Sequence, residues 1–562
     1  MNRFLLTAVT AAVLLVPSSS ALAAPGDLDP TFSGDGRALI DFGAIESASG
    51  VAVQPDGKIV LAGASRAAGG KDDFLVARLN RDGTPDATFS DDGRIVFSFG
   101  LSGATTNDKA RAVALGPDGS IVVTGVTEGN AGDGNGTDTA VARLTPGGEL
   151  DQSFDGDGKQ TIHYGQNDDG VDVAVQGDGS VVVGSTALIG NDRDFGVARL
   201  TSAGRPDTTW RGTGRTTTHF GGDEELRGIA LTPDGGVVAV GMFQFVGGST
   251  DTAIARYLPD GKLDESGFAG GGKATVSLAG KDAATDVAVQ PDGKIVIAAE
   301  DTGKNAQGFV ARFTSSGAFD DGYADHGTAQ TSVSRPHDFR ALALTPRSHA
   351  VAVGQVSGGP IPTDFVSAEF EPTGTPDRTY PQSNGVGGAD FGRSEAANAV
   401  AISGNHAIAV GQAGGDIPVA SIEIDEPAPP APAPESGPEP VEPAQEQPSP
   451  GAPTAPAPTP DTVAPVVSKL KLTAARGTEK GTFKVSEQAT VTVTLQRKVK
   501  RSGRTRLVAA RTITLNGKAG PNAFKLKKLK PGSYRVTLRA TDGAGNASKP
   551  VRQSFVLKKK RR

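Results

Sequence analysis

The sequence predicts an all-β fold: a seven-bladed β-propeller closed by N- and C-terminal strands, followed by a small immunoglobulin-like β-sandwich. Short alternating apolar runs recur about every 57 residues. Gly and Pro are frequent, with 76 and 37 among 562 residues. Frequent turn residues between short apolar runs are typical of β proteins rather than of helical ones.

The first 24 residues have the features of an export signal. Arg3 provides a positive charge, the segment Phe4–Val16 is apolar, and small residues precede Ala24. The apolar segment is shorter than the roughly 20 residues that span a bilayer, so no membrane span is expected. We predict a secreted or envelope-associated protein with a signal peptide at 1–24. Because the chain has no Cys, disulfides and thiol chemistry are excluded.

Two short motifs repeat along residues 25–425. One is P-D-G-(K/S), a tight turn in which Asp stabilises the turn and Gly takes positive φ; it degrades in the last two units. The other is (L/P/F)-D-x-x-(F/W/Y). Its Asp recurs seven times, at Asp29, Asp86, Asp151, Asp207, Asp264, Asp320 and Asp377.

Each unit is predicted to contain four short strands. In the first complete unit they are Gly50–Gln54, Lys58–Gly63, Phe74–Asn80 and Arg94–Phe99. Their alternating or continuously apolar patterns are typical of strands. Four strands in a unit of about 57 residues favour a propeller blade.

The two ends of the repeat array complement each other. A lone strand, Arg37–Phe42, precedes the first complete unit, and a three-strand set at about Asn398–Ile424 ends the array. Together these strands would form a seventh blade, so that no open sheet edge remains. We therefore expect a closed ring and a monomeric protein.

The repeated text resembles a known family. V-A-x-Q-P-D-G-K-I-V-x-A-G, followed by D-F-x-V-A-R-L-x-x-x-G-x-x-D-x-x-F, is similar to the delta-60 repeat of large secreted or surface proteins of bacteria, over roughly residues 26–425. The resemblance implies architecture and location rather than an activity. In the last two units Glu369 and Ser421 replace a recurrent Arg. That Arg is found at Arg78, Arg143, Arg199, Arg256 and Arg312.

The recurrent Arg and the motif Asp are expected to have a structural role. They lie eight residues apart across a turn, as in Arg78 and Asp86. An active site needs one constellation, whereas a packing device is needed in every blade. We therefore predict that each pair forms a buried ion pair that holds its blade, and we assign no catalytic, cofactor-binding or metal-binding residue.

A spacer and a second domain follow the repeats. Residues 426–465 contain 15 Pro in 40 positions, which predicts an extended linker without a core. Residues 466–557 contain strand-like runs, and the text P-G-S-Y-R-V-T-L-R-A-T-D-G-A-G-N resembles late strands of immunoglobulin-like and fibronectin-type-III-like modules, with Tyr534 placed like a tyrosine-corner residue. Residues 558–562 form a basic tail.

Charge separates the two halves of the chain. From Val466 onward there are 26 Lys and Arg against 3 Asp and Glu, a net charge of +23, and the remainder has a net charge of −30. A strongly basic module in a secreted protein suggests docking on an anionic envelope polymer. The acidic repeats are interpreted as a solvated surface.

Histidines and acidic turns were weighed as sites. We interpret the histidines as solvent-facing repeat positions, although ligand or base roles remain an alternative. The segment Asp151–Gly158 has oxygen ligands at short intervals and is a possible Ca²⁺ site, but it lacks the distal Glu of an EF-hand. The histidines are His163 and His219 in the outer strand, His326 in a turn, His337 in a loop, and His349 and His406 in place of the turn Lys.

The predicted function is that of a non-catalytic binding or adhesion scaffold. The propeller face would bind a glycan or a protein, and the basic module would dock on the envelope. The alternative is an extracellular polysaccharide hydrolase or lyase that uses carboxylates of the central channel. Binding loops should break the repeat symmetry, as do Leu101–Ala110, Gly129–Asp138 and Phe243–Asp251.

Overall fold

The computed structural model of the chain is all-β. Within the described residues, no helix is long and apolar enough to span a membrane. The predicted signal peptide, linker and basic tail lie outside the described residues, as do most of the loops 101–110 and 129–138. The structure describes residues 24–67, 70–100, 107–128, 136–245, 248–278, 281–301, 307–331, 335–358, 363–377, 380, 386–424, 466–475, 478–486, 489–501, 504–518, 520–526, 532–541, 548 and 551–557.

The chain divides into two compact units, Met1–Ser436 and Gly437–Arg562. The described part of the first unit contains 27 strands. In chain order they are β1 (Arg37–Ile40), β2 (Ile45–Val53), β3 (Ile59–Arg66), β4 (Asp72–Leu79), β5 (Arg94–Phe97), β6 (Asp108–Leu115), β7 (Ile121–Glu128), β8 (Thr137–Leu144), β9 (Lys159–Ile162), β10 (Asp168–Val175), β11 (Val181–Ile189), β12 (Asp192–Leu200), β13 (Arg215–Thr218), β14 (Asp223–Leu231), β15 (Val237–Gln244), β16 (Thr250–Tyr257), β17 (Lys273–Val276), β18 (Asp282–Val289), β19 (Ile295–Asp301), β20 (Gly308–Phe313), β21 (Thr328–Gln330), β22 (His337–Leu344), β23 (Ala350–Ser357), β24 (Thr363–Phe370), β25 (Glu395–Ser403), β26 (His406–Ala413) and β27 (Ile417–Glu423).

These strands form repeated antiparallel sheets of three or four strands. Sheets 1 to 5 are β2–β5, β6–β9, β10–β13, β14–β17 and β18–β21; sheet 6 is β22–β24, and sheet 7 is β25–β27 with β1 added at its edge. The first strand of each sheet contacts the first strand of the next, and β25 contacts β2. The sheets therefore follow one another cyclically in the described part of this unit.

Apolar side chains are buried between neighbouring sheets. In β3, Ile59 and Leu61 pack with residues of sheet 7, whereas Val60 and Ala62 pack with residues of sheet 2. Both faces of a sheet are thus covered, which explains why the second strands are continuously apolar instead of alternating. The connections that enter first and third strands lie at one end of the sheets, here called the loop face; the other connections form the turn face.

The first strands begin earlier than the sequence pattern predicts. β2 starts at Ile45 rather than at Gly50, because the polar residue Glu46 is buried at its beginning. The remaining predicted strands of this unit differ from the structure by one to three residues at their ends. The alternation near Gly50 is also interrupted by a register shift between Ala48 and Gly50.

The N-terminal segment completes sheet 7. β1 pairs antiparallel with β27 from Arg37↔Ala420 to Ile40↔Ile417. Further backbone hydrogen bonds join the amide of Asp29 to the carbonyl of Ser421, at 2.9 Å, and the amide of Glu423 to the carbonyl of Asp27, at 2.8 Å. In other sheets equivalent bonds join residues eight apart, such as Asp86 and Arg78.

The arginines of four recurrent Arg–Asp pairs, in sheets 1, 2, 3 and 5, also donate to a carbonyl of the next sheet along the turn face. In sheet 1 the Nε atom of Arg78 lies 2.7 Å from Oδ2 of Asp86, and its Nη1 donates to the carbonyl of Pro146 in sheet 2 at 2.6 Å. We call this arrangement the latch. The five Arg–Asp ion pairs have N···O distances of 2.6 to 3.0 Å and join Arg78–Asp86, Arg143–Asp151, Arg199–Asp207, Arg256–Asp264 and Arg312–Asp320.

The aromatic residue of the repeated motif packs against the following sheet. Phe89 is fully buried, and a Cβ at Gly148, whose φ is +90°, would lie 2.8 Å from its ring. The next residue, Ser90, donates its amide hydrogen to the carbonyl of Gly147 at 2.9 Å. The Asp–aromatic motif, the glycine turn of the following sheet and the latch therefore form one contact between two sheets. This explains why the three features recur together.

The described part of the second unit has two sheets around one core. The three-stranded sheet consists of β28 (Val467–Ala475), β29 (Thr478–Val485) and β32 (Gly520–Leu526). The four-stranded sheet consists of β31 (Arg504–Gly517), β30 (Ala489–Arg501), β33 (Gly532–Thr541) and β34 (Val551–Leu557). Phe483, Phe524 and Leu538 contribute to the core, and Tyr534 stacks on Phe555 with 5.3 Å between ring centroids.

Removal of residues 24–43 should leave the outer edge of β27 unpaired. Because an open strand edge recruits other strands, we expect the shortened protein to form oligomers or aggregates, measured by size-exclusion chromatography with light scattering. A synthetic peptide of residues 24–43 should restore the monomer. A shortened protein that is monomeric and unfolds at the same temperature as the full chain would contradict this pairing.

Replacement of Arg312 by Ala should destabilise the first unit. Its guanidinium is nearly buried beside Asp320, and breaking a buried pair costs about 3 to 5 kcal/mol. Burial alone would raise the pKa of Asp320, but hydrogen bonds from Lys294, Gly322 and Arg312 outweigh it and lower that pKa. The difference between wild type and variant should therefore shrink as pH falls below about 4.

The free energy of unfolding would be measured by chemical denaturation. The matched control is Arg205→Ala, because the side chain of Arg205 is 78% exposed and its loss should change stability by less than about 0.5 kcal/mol. Equal stability losses in the two variants would show that the latch does not hold the sheets.

Candidate binding site around the axial cavity

The first strands of all seven sheets surround a cavity of about 170 Å³. Each of these strands has a register shift in its pairing with the second strand, so that one extra residue bulges from it. A bulge re-aims its side chain, and here every bulged residue lines the cavity. The seven bulge residues are Ser49, Arg111, Val171, Arg227, Thr285, Arg340 and Asn398.

Three of the bulge residues are arginines, and each meets an acidic side chain. Nη2 of Arg111 lies 3.2 Å from Oδ2 of Asp169, and Nη1 of Arg227 lies 2.8 Å from Oε1 of Glu300. Nη1 of Arg340 donates to Oδ1 of Asn398 at 3.3 Å, and its Nε lies 3.3 Å from Asp338. The cavity wall therefore offers donors and acceptors in close alternation.

Two carboxylates, Asp172 and Asp286, also line the cavity. Each accepts two backbone hydrogen bonds, one from its own strand and one from the first strand of the next sheet, as Asp172 does from Ile229 at 2.8 Å. Burial raises the pKa of Asp172 to about 6; burial and the charge of Asp172 together raise the pKa of Asp286 to about 7. The other five sheets have Gly or Ala at this position.

A groove of about 370 Å³ adjoins the cavity on the loop face. It shares Arg111 and Val171 with the cavity and continues past Thr137 and Asn167. Arg193 forms its far wall and pairs with Asp223 at 2.6 Å and with Glu225 at 3.3 Å. The hydrogen bond from Arg193 lowers the pKa of Asp223. Cavity and groove form one polar surface, which we call the axial site.

A ring of buried polar residues supports the axial site. Three residues before each bulge, a carboxylate or a histidine lies almost fully buried and, in most sheets, accepts backbone hydrogen bonds from the loop that enters its strand. Burial raises the pKa of four of these carboxylates, at Glu46, Asp168, Glu224 and Glu395. The ring residues are Glu46, Asp108, Asp168, Glu224, Asp282, His337 and Glu395.

Sequence reasoning missed this ring, although a signal was present. An acidic residue recurs three positions before the bulge in six of the seven units. This signal alone does not indicate burial, because Asp and Glu are rarely fully buried.

His163 and His219 face solvent, as predicted, and each also contacts two carboxylates. Nδ1 of His163 lies 2.9 Å from Asp138 and 3.4 Å from Asp168, and the side chain is about half exposed. His219 repeats this arrangement in the next sheet, with Asp194 and Glu224. Desolvation lowers the pKa of His219, but the bond to Asp194 and the charge of Glu224 outweigh it, so that the pKa is raised.

The other histidines differ among themselves. His337 is not in a loop but begins β22, and it is buried, which lowers its pKa. His349 and His406, in place of the turn Lys, contact Glu369 at 2.8 Å and Glu423 at 3.2 Å. His326 lies in a turn with φ of +49° and is exposed.

The predicted Ca²⁺ segment is used for turn and latch bonds. Asp151 pairs with Arg143 and accepts from Ser153, and Asp157 accepts the amide of Lys159 at 2.9 Å. In the described part of the chain, clusters of three metal-capable groups lie elsewhere. They are Asp29–His406–Glu423, Asp138–His163–Asp168, Asp194–His219–Glu224, Asp41–Glu46–Asp416 and Asp364–Asp390–Glu395.

The predicted structural positions lie away from the axial site. The Arg and Asp residues of the latches lie toward the turn face, whereas the groove opens on the loop face. In sheets 6 and 7 the Arg is replaced by Glu369 and Ser421, and their partners are Asp377 and Asp29. The predicted loop Phe243–Asp251 is described except for residues 246–247, and Phe245 is 60% exposed on the loop face.

The solved structures that match the chain have low sequence identity and low TM-scores. One is the extracellular domain of a one-component system from B. thetaiotaomicron, with 8% identity, 93% of this chain and 58% of that chain covered, and a TM-score of 0.36. Another is a PL25 ulvan lyase, a polysaccharide lyase bound to a saccharide, with 10% identity, 71% and 94% covered, and a TM-score of 0.39. The chain thus spans 58% of the length of the first of these proteins. No curated protein matches it.

A family model matches the repeats themselves. The family described as "Domain of unknown function (DUF5122) beta-propeller" matches five segments, each reaching from the end of a first strand to the Asp–aromatic motif. The matched residues are 54–89, 116–154, 176–209, 232–266 and 290–323. These matches, together with the repeated four-stranded sheets, identify the chain as a repeat protein of the β-propeller type.

Proposed function

We propose that this chain is a secreted or cell-surface binding protein without catalytic activity. Its repeats form a seven-bladed propeller closed by β1, and the axial site is its ligand-binding surface. The observation that carries the proposal is that the seven bulge residues vary among arginine, hydroxyl, amide and valine side chains while the framework around them repeats. Positions that differ on a repeated scaffold are where selective binding is expected.

The chemistry of the axial site suits a glycan. Guanidinium groups only donate hydrogen bonds and carboxylates only accept them, whereas sugar hydroxyls do both. Arg111 with Asp169 and Arg193 with Glu225 place both kinds of group side by side along the groove. Neighbouring hydroxyls of a sugar ring can therefore be bound by one such pair.

The second unit is proposed to anchor the protein. Two sheets around one core, with Tyr534 buried at the start of β33, support an immunoglobulin-like or fibronectin-type-III-like module. Its net charge of +23 from residue 466 onward favours an anionic envelope polymer as its partner. The Pro-rich segment 426–465 would act as a spacer between the two units.

A second candidate is an extracellular polysaccharide hydrolase or lyase. It is favoured by Asp172 and Asp286, which are present in only two sheets and have raised pKa values suited to proton transfer near neutral pH. Against it, both carboxylates already bind two backbone amides each. Release of reducing ends or unsaturated products from a polysaccharide by the wild type, and not by the Asp172→Asn/Asp286→Asn variant, would support this candidate.

Glycan binding should depend on the groove. A glycan array with the full chain identifies a ligand, and calorimetry then compares the variants. Arg193→Ala and Asp169→Asn should each weaken binding about 10- to 100-fold, because a hydrogen bond to a charged group contributes about 1.5 to 3 kcal/mol. Arg205→Ala, on the turn face, is the control. An array without any bound glycan, or equal affinities for all variants, would refute the proposal.

The two cavity carboxylates should make stability depend on pH. The folded protein retains their protons to a higher pH than the unfolded chain, where the pKa of Asp is about 3.8. These groups therefore make stability fall as pH rises from about 4 to about 7. In the Asp172→Asn/Asp286→Asn variant, the unfolding temperature should fall less across this range, measured by differential scanning calorimetry. Parallel curves for variant and wild type would show that these pKa values are ordinary.

A further inference from the structure

Sheet 7 lacks the arginine of the latch and has a cavity at that place. Ser421 occupies the Arg position, and the adjacent space of about 270 Å³ is lined by Asp29, Ser421 and His406, among others. In sheets 1 to 5 a guanidinium lies beside the equivalent Asp. Sheet 7, which joins the two ends of the repeat array, is therefore one of two sheets whose latch Asp has no arginine at the usual position, the other being sheet 6 with Glu369.

The side chains at this place in sheet 7 carry more negative charge than those of a complete latch. In sheet 1, Asp86 is bound by two cations, Arg78 and Lys58. In sheet 7, the positions of Arg and Lys hold Ser421 and His406. A second carboxylate is added by Glu423, at a position that is uncharged in sheets 1 to 5, where Asn80, Thr145, Thr201, Leu258 and Thr314 stand.

Three ligand atoms converge here. Nε2 of His406 lies 3.3 Å from Oδ2 of Asp29 and 3.2 Å from Oε1 of Glu423. Zn²⁺ binds nitrogen and oxygen ligands at about 2.0 to 2.2 Å, so neighbouring ligands of a tetrahedral ion are separated by about 3.4 Å. The two nitrogen–oxygen distances are therefore those expected across the edges of such a tetrahedron.

The remaining carboxylate oxygens are held by other groups. Oδ1 of Asp29 accepts hydrogen bonds from the amide and the hydroxyl of Thr31, at 2.8 and 2.7 Å. Oε2 of Glu423 accepts from Nδ2 of Asn405 at 2.8 Å. These bonds turn the other oxygen of each carboxylate toward His406. Such outer hydrogen bonds are a regular feature of metal sites, because they orient the ligands.

We propose that Asp29, His406 and Glu423 bind a divalent transition-metal ion of the Zn²⁺ type. The ion replaces the two cations of a complete latch and joins the N-terminal segment to β26 and β27. Three protein ligands leave a fourth position for water or a ligand, as in catalytic zinc sites. Arg81, on the wall of the same cavity, provides a cation beside an anionic fourth ligand. The proposal is independent of the function of the axial site.

The test measures metal uptake by the full chain, without an affinity tag. The host variant is His163→Ala/His219→Ala, which removes the two other histidine-containing clusters found among the described residues. After chelation and dialysis, the host is titrated with Zn²⁺, followed by calorimetry and elemental analysis, and with Co²⁺, whose visible absorption reports tetrahedral coordination. We expect one equivalent of metal and a higher unfolding temperature of the first unit.

Three further substitutions in this host decide the outcome. His406→Ala should abolish uptake, whereas His349→Ala, the equivalent change in sheet 6, should leave it unchanged. Ser421→Arg should also abolish uptake while preserving the fold, because the new guanidinium can pair with Asp29 as in sheets 1 to 5. The proposal is overturned if the folded host binds no metal, or if His406→Ala or folded Ser421→Arg binds it as the host does.

Discussion

The pairing of residues 26–40 with β27 is the interaction on which the first unit depends. Each sheet is covered on both faces by its neighbours, so the stability of any sheet requires the next one to be in place. Sheet 7 alone takes its outer strand from the other end of the repeat array. Sheets 6 and 1 both pack against sheet 7. The arrangement of the seven first strands around the axial cavity therefore also depends on this pairing.

Two polar systems repeat around this framework and have different roles. The latches lie toward the turn face, and in sheets 1, 2, 3 and 5 the arginine both pairs with the motif Asp and donates to a backbone carbonyl of the next sheet. The buried carboxylates lie toward the loop face and bind the segments that enter the first strands. Side chains of both systems bond to the protein, but one buried oxygen of Glu46, Asp168 and Glu395 accepts no hydrogen bond within the described residues. We expect ligands where a sheet departs from these two repeated systems, as in the axial site and in sheet 7.

The period and the strand pattern were readable from the sequence because they depend on local alternation and turn chemistry. The strand starts were not, because Glu46 and Asp108 are polar residues whose burial is decided by neighbouring loops and sheets. The cavity lining was also hidden: a bulge at Arg111 or Arg227 leaves no local signal beyond a polar residue in a strand. The exposure of His163 and His219 agrees with their interpretation as solvent-facing, but their contacts with Asp138 and Asp194 were not predictable, because these partners are 25 residues away in sequence.

The bulges have an evolutionary consequence. None of the seven bulge residues belongs to a latch or to the ring of buried polar residues, although five of them also bond to the next sheet, as Thr285 does to the carbonyl of Phe339 and Asn398 to the carbonyl of Ala48. The lining of the axial cavity can therefore vary in chemistry while the latches and the ring stay the same. Gene duplication followed by single substitutions at the bulge positions would change the side chains that line the cavity while the repeated framework is retained.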